Sequence, residues 1–238
     1  RFRFKLDGFQ DVVKISGSDL IETLSTCYSR DGIDETMVLC RSNKRAITYN
    51  NGIRNTILDR EDELCRGDSV MIVKNNYYWT ERMIAEEGDS YTNIPSFIAN
   101  GDIAVIRRVR RQRELYGFRF EDATLSFPDY DDLEMEVTLL LDTLHSEAPS
   151  LTRQESDKLF NNVMEDYADI PSRKEKMKKL RENEHFNALQ IKYAYAVTCH
   201  KAQGGQWKNI FIDQGFVPED GRDVEYYRWL YTALTRAT

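Results

Sequence analysis

The 238-residue chain is poor in cysteine, histidine and proline, with four, three and five of each. Cys27, Cys40, Cys65 and Cys199 are scattered and form no C-x-x-C pair. That excludes a zinc knuckle and a dense disulfide framework and predicts reduced, buried thiols. His145 and His185 stand in polar surroundings with no second ligand at metal spacing, so both read as surface residues and no metal site is expected. No apolar run approaches the roughly 20 residues needed to cross a bilayer, and Arg1 to Asp7 lacks the apolar core and cleavage site of a secretory leader. The expectation is no membrane association and a cytoplasmic setting. Positive charge is also short: the formal balance is −7. A protein that coats nucleic acid by a general positive field is thereby excluded, and any such contact must be local.

What is present is an ordinary globular balance, 41% hydrophobic and 31% charged, with length for one large domain or two smaller ones. Asp11 to Ser16 reads as a strand, followed by a helix that starts at Ser18 or Asp19, a short polar side chain able to accept free N–H groups of the first turn. Thr36 to Cys40 is a short apolar run of the buried parallel-strand type, and Asn43 to Leu58 reads as helical despite Gly52. From Gly67 the texture becomes extended: Asp68 to Val73, Gly101 to Val109, Tyr116 to Phe127 and Leu133 to Leu141, with turn-forming residues between them, predict a small antiparallel barrel. Thr152 to Asn187 predicts two polar helices broken near Pro171, the second very rich in Lys, Arg and Glu and solvated along most of its surface. Gln190 to Val197 and Asn209 to Asp213 return to strands, and Val224 to Ala237 is a helix. The simplest organisation is a parallel-sheet α/β domain of residues 1–66 and 187–238, interrupted at 67–186 by a β-barrel with a helical extension.

Four segments carry candidate chemistry. Ala196 to Trp207 follows one strand and precedes another; Thr198, His200 and Gln203 are compact hydrogen-bonding groups, and Gly204-Gly205 lets backbone N–H groups approach a phosphate. Strand ends of open α/β sheets are where ligands sit, although a plain polar loop with a glycine turn fits these residues equally well. Tyr227 to Thr238 combines an apolar helical face with Thr235-Arg236-Ala237 in the last turn, where an ordinary arginine is favoured by the helix dipole. Met37 to Asn43 is a strand that delivers Arg41-Ser42-Asn43, which also suits a capped helix N-terminus at Ser42 or Asn43. Between the turns Arg66-Gly67-Asp68 and Asn100-Gly101-Asp102, Lys74 to Trp79 supplies a cation, amides and three aromatics that suit base stacking or strand-end packing. Arg107, Arg108, Arg110, Arg111 and Arg113 form one strong basic run; alternation divides them between two faces, so phosphate contact competes with a solvated edge.

These segments, in the order just given, resemble motifs V, VI and IV and the inserted SH3-like barrel of RecD-like superfamily 1 helicases. Thr198-Cys199-His200-Lys201-Ala202-Gln203-Gly204 is similar to the T-x-H-K-A-Q-G pattern of motif V. The family often carries Glu two positions after the first glycine, where this chain has Gln206. The resemblance implies a RecA-like domain interrupted by an SH3-like barrel. It implies Arg236 as an arginine finger and Arg41 as a second cation on ATP, with Asn43, Gly204, Gly205 and Gln206 near the nucleotide. Thr198, His200, Lys201, Gln203, Lys74 and Tyr77 would contact single-stranded DNA, or RNA as the alternative.

No G-x-x-x-x-G-K-[ST] loop occurs in the chain, and no acidic pair for Mg²⁺ was found. ATP and Mg²⁺ would therefore be held mainly by an N-terminal RecA-like partner domain of the same protein, and the piece alone should not hydrolyse ATP. The implied activity is ATP-driven 5′ to 3′ translocation and duplex separation. The rival expectation is a non-catalytic helicase-derived module that binds nucleic acid or protein.

Overall fold

The computed structural model describes residues 8–87, 94–218 and 222–238; Arg1 to Asp7, where no secretory leader was expected, lies outside them. Its centre is β1 (Thr36–Cys40), buried at all five positions. β1 lies between β7 (Ala196–Thr198) and β8 (Asn209–Ile212), and both pairings are parallel. A strand buried on both faces must be apolar throughout, which is why the run TMVLC has no alternation. Side chains leave it on opposite faces. Val38 and Cys40 pack with Leu24 and Tyr28 of α1 (Leu20–Asp31) and Ala46 of α2 (Asn43–Gly52). Met37 and Leu39 pack with Val197, Ala202, Trp207 and Ala233, the last from α6 (Val224–Leu234).

The second unit is a closed five-stranded barrel of β2 (Ser69–Ile72), β3 (Ile103–Leu115), β4 (Phe118–Phe127), β5 (Leu133–Leu140) and β6 (Leu189–Tyr193). β3 and β4 meet at Tyr116-Gly117, where both residues have positive φ, as the two-residue hairpin turns that match strand twist require. α4 (Arg153–Glu165) opens on a capping box between Thr152 and Glu155, and α5 (Arg173–Arg181) opens on the Ser172 cap. The two helices are not merely solvated. Leu159, Val163 and Leu180 pack on Phe118, Phe120 and Leu140 at one end of the barrel.

Several expectations are corrected. The expected strand Asp11 to Ser16 does not form: among the described residues no strand pairs with it, and Val13 is 73% exposed. Asp19 precedes α1 without capping it through its side chain; that carboxylate accepts from the Ser16 hydroxyl instead. Between the two turns the chain forms α3 (Tyr78–Glu87), which opens with Asn76 Oδ1 accepting from Trp79 N at 3.3 Å. The run Gln190 to Val197 is two strands, with β6 in the barrel and β7 in the parallel sheet. Asn50 of α2 makes the change of sheet possible: its Oδ1 accepts from the N–H groups of Tyr195 and Ala196, and its Nδ2 donates to the carbonyls of Tyr193 and Ala196. Those backbone groups would otherwise be buried unpaired. The last helix stops at Leu234, and Ala237 pairs in parallel with Trp207.

The helix expected over Asn43 to Leu58 does run past Gly52, through a π-helical turn at Ile53–Ile57. Among the described residues no helix is long and apolar enough to cross a membrane.

Candidate functional site

β1 and β7 end side by side: Cys40 is in register with Thr198, and Cys199 N donates to Cys40 O at 3.2 Å. Arg41 and Cys199 therefore leave the sheet together at its C-terminal edge. The loop that follows β7 closes on itself, because Lys201 N and Ala202 N both donate to Thr198 O, at 2.9 and 3.2 Å. Cys199 and Ala202 are buried, whereas His200, Gln203, Gly204 and Gln206 are exposed. The side chains of His200, Gln203 and Gln206 have no hydrogen-bond partner among the described residues, so they are available to a ligand. Burial pushes the Cys199 thiol up, with Arg236 opposing; it is a packing residue rather than a nucleophile.

Two guanidinium groups bracket this loop. Arg41 lies 5.5 Å from the ring centroids of both Tyr226 and Trp229 on α6, and Trp229 O accepts from Cys199 Sγ at 3.8 Å. Arg236, just past the end of α6, donates to Gly205 O at 3.3 Å and to Thr235 Oγ1 at 3.4 Å, and its buried Nε has no partner. Neither arginine has a carboxylate within ion-pair distance among the described residues. Their neighbour Arg45 contrasts, being paired with Asp213 at 2.6 Å. Trp229 lies within α6, and Arg236 is two residues past its end. The guanidiniums share no contact; the loop spans between them. Its far end is fixed by Trp207, whose N–H donates to Arg236 O at 2.9 Å and whose carbonyl accepts from Thr238 N at 3.0 Å. Gly205 is closely covered there: a Cβ would meet the Trp207 ring at 2.3 Å, so the ring would have to shift.

A groove leads away from the same loop. Asn43, Thr198, Lys201 and Lys192 line a narrow cleft between α2, β7 and the barrel, where Asn43 Nδ2 donates to Glu147 O at 3.0 Å. Lys201 Nζ reaches the Asn100 side chain, and Asn100 N donates to Asn75 Oδ1 at 2.7 Å. Lys74, Asn75, Asn100 and Gln190 line the next stretch, a cavity of about 420 Å³. It continues into one of about 490 Å³ reaching Tyr77, Arg181 and Phe186. Tyr77 is 52% exposed and stacks on Phe97 at 5.0 Å between ring centroids. Trp79, by contrast, is 3% exposed and donates its indole N–H to Asn187 O. Of the three aromatics, Tyr77 suits base stacking and Trp79 is core.

The structure thus brings Asn43, Thr198 and Lys201 into one cleft and Lys74 and Tyr77 into its continuation, and sets Gly204, Gly205 and Arg236 at the loop's other end. Lys192, Gln190 and Asn100 were missed. Lys192 alone carried a signal, a lysine inside the apolar strand LQIKY. Burial first, then the charge of Lys201, lowers it to about 8.

The arginine run lies on β3 and is mostly neutralised: Arg107 faces Asp132 and Glu134, Arg110 pairs with Glu136, and Arg113 with Asp122 and Glu184. This is the solvated-edge arrangement. His185 is a correction. It is not a surface residue, since its ring packs edge-on against Phe120 and accepts from Arg113 Nε at 2.8 Å. Burial lowers its pKa, with Arg113 adding to the effect. Among the described residues no group of three or more His, Cys, Asp or Glu is placed to hold a metal ion.

Residues 193–238 match the family of the UvrD-like helicase C-terminal domain. The match begins at the last residue of β6 and takes in β7, the bracketed loop, β8 and α6; it omits β1, the rest of the barrel and the helices α4 and α5. Over this minority of the chain the protein is similar to the C-terminal part of a superfamily 1 helicase. Among curated proteins, none matches the chain.

Proposed function

We propose that this chain is the C-terminal part of a RecD-like, ATP-driven motor that moves 5′ to 3′ along single-stranded DNA, and that its barrel is the SH3-like insertion of that branch. The observation that carries the reading is the loop Thr198 to Gly205, fastened at one end beside Arg41 and at the other to Arg236. A loop held in this way lies where a change at a bound phosphate is felt at Thr198 and Lys201, the start of the groove.

ATP with Mg²⁺, held mainly by a partner domain, supplies the phosphoryl-transfer chemistry. The residues here fit a triphosphate. Arg236 is tied only by two long bonds to neutral oxygens, and its buried Nε lacks an acceptor. Arg41 is held by ring faces rather than by an acid. A guanidinium without a carboxylate offers forked donors to phosphate oxygens at any working pH. Arg236 in the finger role stabilises charge that develops on the transferring group; Arg41 is the second cation, Gly204, Gly205 and Gln206 serve the Arg236 end of the loop, and Asn43, which lines the cleft beside Thr198 and Lys201, serves the strand side rather than the nucleotide. Thr198, His200, Lys201, Gln203, Lys74 and Tyr77 hold the strand through phosphate contacts and stacking.

The test is strand-stimulated ATPase of this chain joined to its ATP-binding partner domain. Arg236→Ala should lower the rate about 10³-fold or more while oligonucleotide affinity stays within about twofold. An unchanged rate rejects the finger role and leaves a non-catalytic nucleic-acid module.

A further inference from the structure

Helix α5 stands out electrostatically. Its nine residues, RKEKMKKLR, hold six cations and one acid, a balance of +5 in a chain whose total is −7. Lys174, Lys178 and Arg181 recur at i, i+4 and i+7 and so share one flank of the helix. The adjoining flank is committed to packing, with Leu180 buried and Met177 half-buried against α4 and the barrel. The flank has little internal compensation: Lys178 approaches Glu182 only at 3.8 Å with both side chains exposed, and Lys174 and Arg181 have no acidic partner among the described residues. Like charges at i, i+4 oppose helix formation, so an anion along this flank would be stabilised.

Position supplies the second argument. Arg181 lines the outer cavity of the groove together with Tyr77 and Lys74. The C-terminal end of α5 is fixed there, because Asn187 Nδ2 donates to Arg181 O at 2.8 Å and Tyr78 Oη to Glu182 O at 3.2 Å. From Arg181 back to Lys174 the helix extends about 10 Å, enough for two or three successive phosphates.

We infer that α5 prolongs the nucleic-acid track: Lys174, Lys178 and Arg181 form a phosphate-binding rail for the strand that leaves the groove at Tyr77. This rests on the reading of the groove as a single-strand site. Any partner docked on this flank must meet a rigid row of cations with no exposed apolar residue among them, which suits a polyanion.

The test uses the 238-residue chain and fluorescein-labelled oligothymidylates of about 4 to 16 nucleotides, with affinities read by anisotropy at several salt concentrations. Wild-type affinity should rise with length beyond the shortest oligomer bound. Lys174→Ala/Lys178→Ala should equal the wild type on that oligomer and fall about tenfold behind on the longest, with a salt slope smaller by about 1.4, two contacts' worth for single strands. Both residues are exposed, and an unchanged thermal melt would show that the helix persists. Identical length dependence and slope in the two proteins would overturn the rail and leave the groove standing. A variant that loses affinity only for blunt duplex would also overturn it, assigning the flank to double-stranded nucleic acid. Failure of the wild type to bind any oligomer would overturn the groove reading, and the rail with it.

Discussion

Asp68 and Arg54 form a buried two-point ion pair, the carboxylate accepting from Arg54 Nε at 3.0 Å and Nη2 at 2.9 Å with both side chains almost wholly out of solvent. Arg60, Cys65 N–H and the Tyr195 hydroxyl complete five donors to one carboxylate. Arg54 comes from the π-helical turn after α2, Asp68 from the start of β2, and Tyr195 from the two residues between β6 and β7. The cluster therefore sits at the seam where the chain passes between sheet and barrel, beside the clamp made by Asn50.

Removing that charge should loosen the seam. Asp68→Asn leaves Arg54 buried without a counter-ion, a loss of about 3 to 5 kcal/mol, readable as a lowered urea midpoint. The pH dependence has a defined sign. Burial raises the Asp68 pKa, but the bonds from Arg54, Cys65 N–H, Tyr195 and Arg60 outweigh it and hold the group below its usual value. The unfolded chain then binds more protons, so this stabilisation is complete above the ordinary carboxylate pKa of about 3.9 and is lost as pH falls through the folded value. The gap between wild type and Asp68→Asn should be constant from pH 7 to about 5 and narrow below about 4.

The seam also marks where sequence stops being informative. β1 could be read directly, because TMVLC has no polar position and a strand buried on both faces allows none. The Ser42 cap was visible for the same local reason. The split of IKYAYAV into two strands was not, since either sheet accepts an apolar run and the deciding groups belong to Asn50, far away in the chain. Nothing local in the sequence pairs Arg54 with Asp68; only the fold brings them together. α3 was hidden by its opening, where Asn75-Asn76-Tyr77 carries turn and aromatic signals rather than a helical stripe. The site followed the same rule. Residues within one motif, Thr198 to Gly205, could be read locally, whereas the groove needed Lys192, Gln190 and Asn100 from separate strands and turns.

Tyr77 gives a direct probe of the groove. Its ring is half exposed and already ordered on Phe97, so stacking a base on it costs little side-chain entropy. Tyr77→Ala should weaken a bound oligothymidylate by about 1 to 3 kcal/mol, whereas Tyr77→Phe should keep nearly all the affinity, because the face and not the hydroxyl makes the contact. Anisotropy titrations of the two variants side by side would decide it; equal losses would mean that the hydroxyl, not the stack, matters.

Lys192 should make binding pH-dependent in the physiological range. Its ammonium donates to the carbonyls of Thr143 and Ser146, leaving one donor for a ligand in the cleft. With a folded pKa near 8, the charge is present at pH 7 and largely gone by pH 9. Oligonucleotide affinity should fall over that interval, and Lys192→Met should bind more weakly at pH 7 and lose most of the slope. Stability runs the other way: the unfolded lysine binds more protons between pH 8 and about 10.5, so this group favours the folded state more as pH rises there. A chain whose melting temperature and affinity fall together over pH 7 to 9 would contradict this account.

The two glycines of the loop should respond differently to alanine, although they are adjacent. Gly204 has a positive φ of 91° and open space around its missing Cβ, so Gly204→Ala incurs backbone strain of about 1 to 3 kcal/mol and little else. At Gly205 the backbone is permissive and the space is not, for the new methyl meets the Trp207 ring. Trp207 cannot yield freely, because its backbone N–H and carbonyl are bonded to Arg236 O and Thr238 N. Movement of that ring is transmitted to the segment that bears Arg236, and the Gly205 carbonyl that accepts from this guanidinium moves with it. Gly205→Ala should therefore cost more of the strand-stimulated ATPase than Gly204→Ala at comparable thermal stability, with a changed tryptophan emission that Gly204→Ala lacks. Equal activities in the two variants would mean that the position of Trp207 does not govern Arg236.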